Sequence, residues 1–232
     1  MKVQEQLKNE WPSLKTETIS GSRFYVTPEG KKYPSITTVL GQQPGKKKGL
    51  QEWRERVGEA EANRIGRAAA GRGTAFHHIC EDYINEQPLE HHKDKNFLAW
   101  CMFTQFRPHL DNNIDSVLLQ EQGMYSDKYG VAGRCDLIGT FNGQLAVVDF
   151  KTTTKPKREE WIEDYFIQCS AYASMFEEHQ KVAIDKIVIM MVAEDGQVNI
   201  FEKNTLDYLP KLNTLMNEWY GNFEEKLGLM KA

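Results

Sequence analysis

Cysteine is scarce in this chain of 232 residues, and its four copies, Cys80, Cys101, Cys135 and Cys169, stand far apart. None has the paired spacing of a zinc finger or ribbon, and the same scatter argues against a four-cysteine iron–sulfur cluster. Buried free thiols and no iron–sulfur cluster are the expectation. Also missing is any run near the roughly 18 apolar residues that a membrane-spanning helix needs. The first residues, Met1 to Trp11, are polar and mixed in charge. They lack the apolar segment of a secretory leader and the Arg-rich, acid-poor character of a transit segment, so a cytoplasmic protein without membrane contact is expected. Internal repeats and low-complexity stretches are absent too. With 40% apolar and 27% charged residues, disorder is not the default, and the length suits one domain with a substantial core.

Net charge is −4, which argues against indiscriminate binding of polyanions. Its distribution is uneven. Gly21 to Ala75 holds eleven Lys/Arg against five Asp/Glu, whereas Phe176 to the end holds six against ten. Such asymmetry fits a local groove for a polyanion, though a charge run alone reads more readily as a solvated helix surface.

The pattern along the chain predicts an α/β fold: a mixed central sheet with helices before and between its strands. Residues 23–33 read as a hairpin turning at Pro28-Glu29-Gly30, and Ser35 as the cap of a short helix through Leu40. Gln42 to Gly49 reads as a loop. Residues 50–70 read as an Arg-rich helix that Gly71-Arg72-Gly73 breaks, with a new helix from about Thr74 to Asn85. A further helix covers 94–110, with Phe97, Trp100, Cys101 and Phe103 among its apolar positions. Strands follow at 116–125, 133–141 and 144–151, then a helix over about 159–178, strands at 186–192 and 197–202, and a final helix over 205–228.

Asn142-Gly143 between apolar runs is a strong hairpin signal and favours a two-residue type I′ turn. Facing residues then have numbers summing to 285, so Phe141 faces Gln144, Ile138 faces Val147 and Asp136 faces Asp149. Counting pairs from the turn puts the two aspartates at a non-hydrogen-bonded position, with Cα atoms about 4.5 Å apart. Lys151, two residues beyond Asp149, shares its face; a bulge would shift this register. Two carboxylates opposed beside the apolar run Leu145–Val148 are expensive unless a cation neutralises them, and Lys151 offsets only one charge. Hard oxygen ligands suit Mg²⁺ or Mn²⁺.

Other residues join by spacing. His77 lies near the start of the helix predicted from Thr74 and could supply a nitrogen ligand, with Glu81 on its face; taken alone it reads more readily as an ordinary helix histidine. Gln168 and Tyr172 are four apart on the helix after the hairpin. They read either as a polar edge beside a core stripe or as an amide and a phenol facing the site.

Four segments in this order, GTAFH at 73–77, AGRCDLIG at 132–139, VVDFKT at 147–152 and QCSAY at 168–172, resemble the RecB-type nucleases of the PD-(D/E)xK superfamily. YPSITTVL at 33–40 and GQLAVVDFKTTTKPK at 143–157 extend the likeness to the mitochondrial genome maintenance exonuclease group, with its phage and bacterial relatives. The resemblance implies a restriction-endonuclease-like core within a single nuclease domain: a basic N-terminal hairpin and helical region over 1–72, the core over 73–203, and a C-terminal helix over 204–232. It implies Asp136 and Asp149 as metal-binding carboxylates, the Phe150 backbone carbonyl as a further ligand, Lys151 as the catalytic lysine and His77 as a metal-proximal residue. Gln168, Tyr172, Thr152 and Ser35, within the matching segments, would organise the site or the substrate.

The activity implied is Mg²⁺-dependent hydrolysis of phosphodiester bonds, with Mn²⁺ as substitute, from the ends of single-stranded DNA in replication, recombination or repair. The cell would be bacterial or phage-infected. Arg64, Arg67 and Arg72 would lie along the DNA, and Tyr33, Trp53 and Tyr172 are candidates for stacking on unpaired bases. A duplex endonuclease of the same superfamily and a non-catalytic binding module remain as alternatives.

Overall fold

A computed structural model describes residues 2–3 and 10–230 of the chain. The Met1–Trp11 stretch read above for targeting signals lies largely outside the described residues, as do the last two residues of the tail. The two-residue strand β1 (Lys2–Val3) precedes a three-stranded antiparallel sheet of β2 (Lys15–Ile19), β3 (Ser22–Val26) and β4 (Lys32–Pro34). The hairpin expected around Gly30 is β3–β4; β2 was not foreseen. Ser35 caps α1 (Ile36–Gly41) as expected, its hydroxyl accepting the Thr38 N–H.

The next two helices depart from the sequence reading. The expected loop at 42–49 is mostly the start of α2 (Pro44–Val57), which Pro44 opens at a position where its missing N–H costs nothing. The break that follows falls at Gly58, with φ of 86°, and not at Gly71-Arg72-Gly73. Helix α3 (Glu59–Ile84) runs unbroken through both glycines. The alanines at 68–70 and 75 are strong helix formers. Gly73 also lies against Thr152, where an added Cβ would come within 3.8 Å of its hydroxyl oxygen. His77 is therefore a mid-helix residue, not one near a helix start.

The helix expected over 94–110 is two: α4 (Glu90–Lys95), then α5 (Phe97–Asn113), which Asn96 caps by accepting the Ala99 N–H. Ala99, Met102, Phe103, Phe106 and Leu110 form its buried face, while Phe97 is 62% exposed. The remaining elements are β5 (Ile114–Ser126), β6 (Val131–Phe141), β7 (Gln144–Thr153), α6 (Glu163–Gln180), β8 (Lys186–Ala193), β9 (Val198–Asn204) and α7 (Leu209–Met230).

These strands make one mixed sheet in the order β1-β5-β6-β7-β8-β9. β5, β6 and β7 are antiparallel neighbours, α6 carries the chain over to β8 parallel to β7, and β9 returns antiparallel. Each face has its own core. Val147, Ile187 and Ile189 pack with α1, α6 and α7, whereas Ala146, Val148, Phe150 and Val188 pack with α3 and α5. The strict alternation along β7 sends successive side chains to opposite faces, so the sheet is covered on both. This is the α/β mixed-sheet fold read from the sequence. No helix among the described residues is long and apolar enough to cross a membrane.

Candidate active site

Asn142 and Gly143 have φ of 48° and 78°, the pair of positive values that a type I′ turn requires. From this turn β6 and β7 pair in the expected register, Phe141 with Gln144 through Leu137 with Val148. There the ladder ends. Asp136 and Asp149 do not form the cross-strand pair that the sequence predicts. The Phe150 N–H, which the same register aims at the carbonyl of Cys135, donates instead to Asp136 Oδ2 at 2.8 Å. The reason lies in β6. Cys135 packs in the α6-side core and Leu137 in the α3-side core, although residues two apart on a regular strand share a face. The strand is irregular at Asp136, and the carboxylate fills the gap where the ladder opens.

Two more elements converge on that carboxylate. His77 of α3 places Nδ1 3.5 Å from Asp136 Oδ1 and 3.5 Å from Glu121 Oε1. Glu121 falls opposite Asp136 across β5–β6, between the pairs Gln120–Leu137 and Gln122–Cys135. Its φ of 47° is unusual in mid-strand and is the kind of local strain that gathers at functional sites. One ligand atom from each of His77, Glu121 and Asp136 lies within 4.8 Å of the other two. Sequence reasoning missed Glu121. Counting back from the β5–β6 turn pairs 121 with 136, but that connection, Asp127 to Gly130, has no two-residue signature to set the count.

Asp149 is fully buried on the α6 side of β7. Gln168 Nε2 donates to its Oδ1 at 3.0 Å and to Tyr172 Oη at 3.2 Å, so the i,i+4 pair on α6 faces the site. Asp149 Oδ2, also buried, is ion-paired with the Lys151 ammonium. Gly133 makes this packing possible: a Cβ there would stand 2.7 Å from Tyr172 Cε1. Tyr172 itself is buried, which removes it from the candidates for base stacking.

The electrostatics follow from this crowding. Burial works against a charged imidazole at His77, but the adjoining carboxylates of Asp136 and Glu121 outweigh it and push its pKa up to about 10. Burial also opposes charge on Asp136; His77, Lys151 and the Phe150 N–H overcome it and hold its pKa below the usual carboxylate range. At Asp149 burial dominates, with Lys151 pulling the other way and Asp136 adding repulsion, and the pKa is pushed up to about 6. Burial penalises the Lys151 ammonium, but Asp149 and Asp136 more than compensate and raise its pKa.

The imidazole of His77 and the carboxylates of Glu121 and Asp136, converging within 4.8 Å next to the buried Asp149, are a donor set suited to a divalent cation that accepts oxygen and imidazole. The residues present therefore fit the metal that the sequence implies.

The remaining predicted residues lie around this centre. Arg72 is buried, its guanidinium paired with Glu194 and donating to Thr152 Oγ1 at 3.3 Å. Both Arg72 and Thr152 thus tie α3 to the end of β7, and the Arg72 guanidinium is engaged there, not aligned along an open groove. Arg67 is exposed on α3, and Arg64 pairs with Glu61. The Ser35 hydroxyl serves the α1 cap. Tyr33 donates to Asp127. Cys80, Cys135 and Cys169 are buried.

Residues 50–218 match the family model of the PD-(D/E)XK nuclease superfamily. The chain is similar to the mitochondrial genome maintenance exonuclease 1 of Homo sapiens, 26% identical over 130 residues that make up 53% of this chain and 38% of that protein. To the same protein of Mus musculus it is 25% identical over 144 residues, 60% of this chain and 42% of that one. It thus spans about two fifths of the length of these curated relatives. Among solved structures, a provisionally named exonuclease of Eubacterium rectale superposes with a TM-score of 0.44 at 11% identity, covering 63% of this chain and 65% of that one.

Proposed function

This chain belongs to the PD-(D/E)XK nuclease superfamily, and from that premise we propose that it is a Mg²⁺-dependent exonuclease that hydrolyses phosphodiester bonds from the ends of single-stranded DNA. One observation carries the reading. His77, Glu121 and Asp136 converge within 4.8 Å at the point where β6 leaves β7, beside the buried Asp149–Lys151 pair.

Asp136, Asp149, Glu121 and His77 would hold the cation, with the Phe150 carbonyl, adjacent to Asp149, as a further ligand. Bound there, the metal would lower the pKa of a water and offset charge on the phosphate. The protein's own groups do the rest. Lys151, kept as an ammonium by its two carboxylate neighbours, donates to a phosphate oxygen or orients the attacking water. The water oxygen adds to phosphorus as the bond to the leaving sugar oxygen breaks, and that oxygen takes up a proton. Gln168 holds the Asp149 carboxylate in one rotamer, and Tyr172 holds Gln168. The Arg72–Thr152 contact keeps α3, and so His77, in register with β7. DNA repair, replication or recombination in a bacterial or phage-infected cell is the role this chemistry serves.

The test is hydrolysis of end-labelled single-stranded, duplex and closed circular DNA, with and without Mg²⁺. Mononucleotide or short-oligonucleotide release from linear single strands, requiring Mg²⁺ and abolished by Asp149→Asn, is expected. Cutting of closed circles would make the chain an endonuclease. Binding of DNA with no hydrolysis under any divalent metal would make it a binding module.

A further inference from the structure

Outside the metal centre, the segment joining β7 to α6 has a feature that the mechanism does not use. Trp161 is 63% exposed, one of the few large apolar side chains so open to solvent. It is not isolated. The Arg158 guanidinium lies 5.4 Å from its ring centroid. Next in chain, Lys157 donates to Tyr165 Oη at 3.1 Å and stands 5.3 Å from the Tyr165 ring. On that same ring, at 5.1 Å, lies Lys151 Nζ. Outward from the Asp149–Lys151 pair come Lys151 and Lys157 on the Tyr165 ring and, next along the chain, Arg158 on Trp161.

The segment and the first turn of α6 carry four acids, Glu159, Glu160, Glu163 and Asp164, and each meets a cation. Glu159 pairs with Lys203, Glu160 with Arg158, Glu163 with Lys211 and Asp164 with Lys46. Lys155, exposed, and Lys157 form no such pair among the described residues. Their charge is therefore left to a phosphate backbone. An exposed indole on the same segment as two lysines without carboxylate partners is the composition of a single-strand platform, in which cations follow the backbone and a flat ring takes a base that no partner strand stacks or pairs.

We infer that Trp161 is a stacking subsite for an unpaired base of the strand whose scissile phosphate meets Lys151, with Lys155 and Lys157 contacting the intervening phosphates. The inference rests on the nuclease reading above and sharpens it. A duplex end keeps its bases paired and cannot offer one to Trp161, so this residue, more than the metal site, selects single strands.

The experiment is fluorescence anisotropy with labelled oligothymidylate and with a blunt hairpin duplex, in metal-free buffer so that no hydrolysis occurs. Trp161→Ala is expected to weaken oligothymidylate binding about tenfold, within the range for loss of one stacked base. Duplex binding and the salt dependence should stay unchanged, because no phosphate contact is lost. Trp161→Phe should restore most of the affinity. Lys157→Ala should instead lower the slope of log affinity against log salt by about 0.7, the signature of one phosphate contact on a single strand. Oligothymidylate binding by Trp161→Ala equal to wild type overturns the subsite while the nuclease reading stands. Failure of the wild type to bind oligothymidylate overturns the single-strand reading and the subsite with it. Trp161 is exposed, so the variants carry little risk of misfolding.

Discussion

The amide of Phe150 and the carboxylate of Asp136 are joined by a 2.8 Å hydrogen bond that replaces a rung of the β6–β7 ladder. Backbone of one strand and side chain of the next are thereby locked together, and the same carboxylate meets His77. Replacing Asp136 by Ala removes a charged acceptor and leaves a buried N–H unpaired. Hydrolysis should fall by at least about a hundredfold, and stability of the metal-free protein by about 1–3 kcal/mol. Asp136→Asn should recover much of the stability, read by urea unfolding, and little of the activity.

Asp149 gives the opposite sign. Its pKa of about 6 lies above the roughly 3.9 of an unfolded carboxylate. Between these values the folded state binds more protons than the unfolded one, so the contribution of this group to stability falls as pH rises through 6. The stability of metal-free Asp149→Asn relative to wild type should therefore rise as pH climbs from about 4 through 6, on top of a pH-independent loss from leaving the Lys151 ammonium without its partner. The variant should be inactive, and Mg²⁺ should raise the Tm of wild type only. A stability difference between Asp149→Asn and wild type that does not move between about pH 4 and pH 8 would contradict the electrostatics described.

Glu121 supplies a sharper discrimination. Its carboxylate helps hold the His77 pKa near 10. Glu121→Gln should bring the His77 titration down, measured by the imidazole proton shifts of the metal-free protein, and weaken Mg²⁺ binding by about tenfold in calorimetry, a loss of roughly 1.4 kcal/mol. An unchanged affinity for Mg²⁺ would remove Glu121 from the ligand set.

Gly133→Ala tests the packing beneath the site. The added methyl would stand 2.7 Å from Tyr172 and 3.2 Å from Ile36, both well enclosed. Overpacking of this kind costs about 1–3 kcal/mol, and displacing Tyr172 disturbs the Gln168 amide that holds Asp149. Stability and kcat should fall together, and Tyr172→Phe in the same chain should not rescue the clash, since the ring edge causes it.

Arg72 separates a structural role from substrate contact. Paired with Glu194 and Thr152, it should behave on mutation to Ala as a lost half-buried contact, costing about 1–3 kcal/mol, while the salt dependence of DNA binding stays that of wild type. A slope reduced by about one unit would instead mark a phosphate contact.

Much of this was legible in the residues because it is local. Asn142-Gly143 demands two positive φ values, and that demand sets the register from Phe141 to Leu137, while the two-residue step from Asp149 to Lys151 puts both on one face of β7. The four-residue step from Gln168 to Tyr172 puts amide and phenol on one helix face whatever surrounds them, and Ser35 caps its helix through its own hydroxyl. Tertiary packing decided the rest. Gly71 and Gly73 read as breakers, but alanine-rich flanks and the contact with Thr152 carry α3 through them. Asp136 leaves its ladder because Cys135 and Leu137 are claimed by cores on opposite faces of the sheet. Glu121 enters the site through a backbone conformation that no neighbouring residue announces. Hydrogen-bond register and helical spacing depend on a few adjacent residues. The meeting of α3, β5 and β6 around one carboxylate depends on which apolar faces bury together, and only the folded chain resolves that competition.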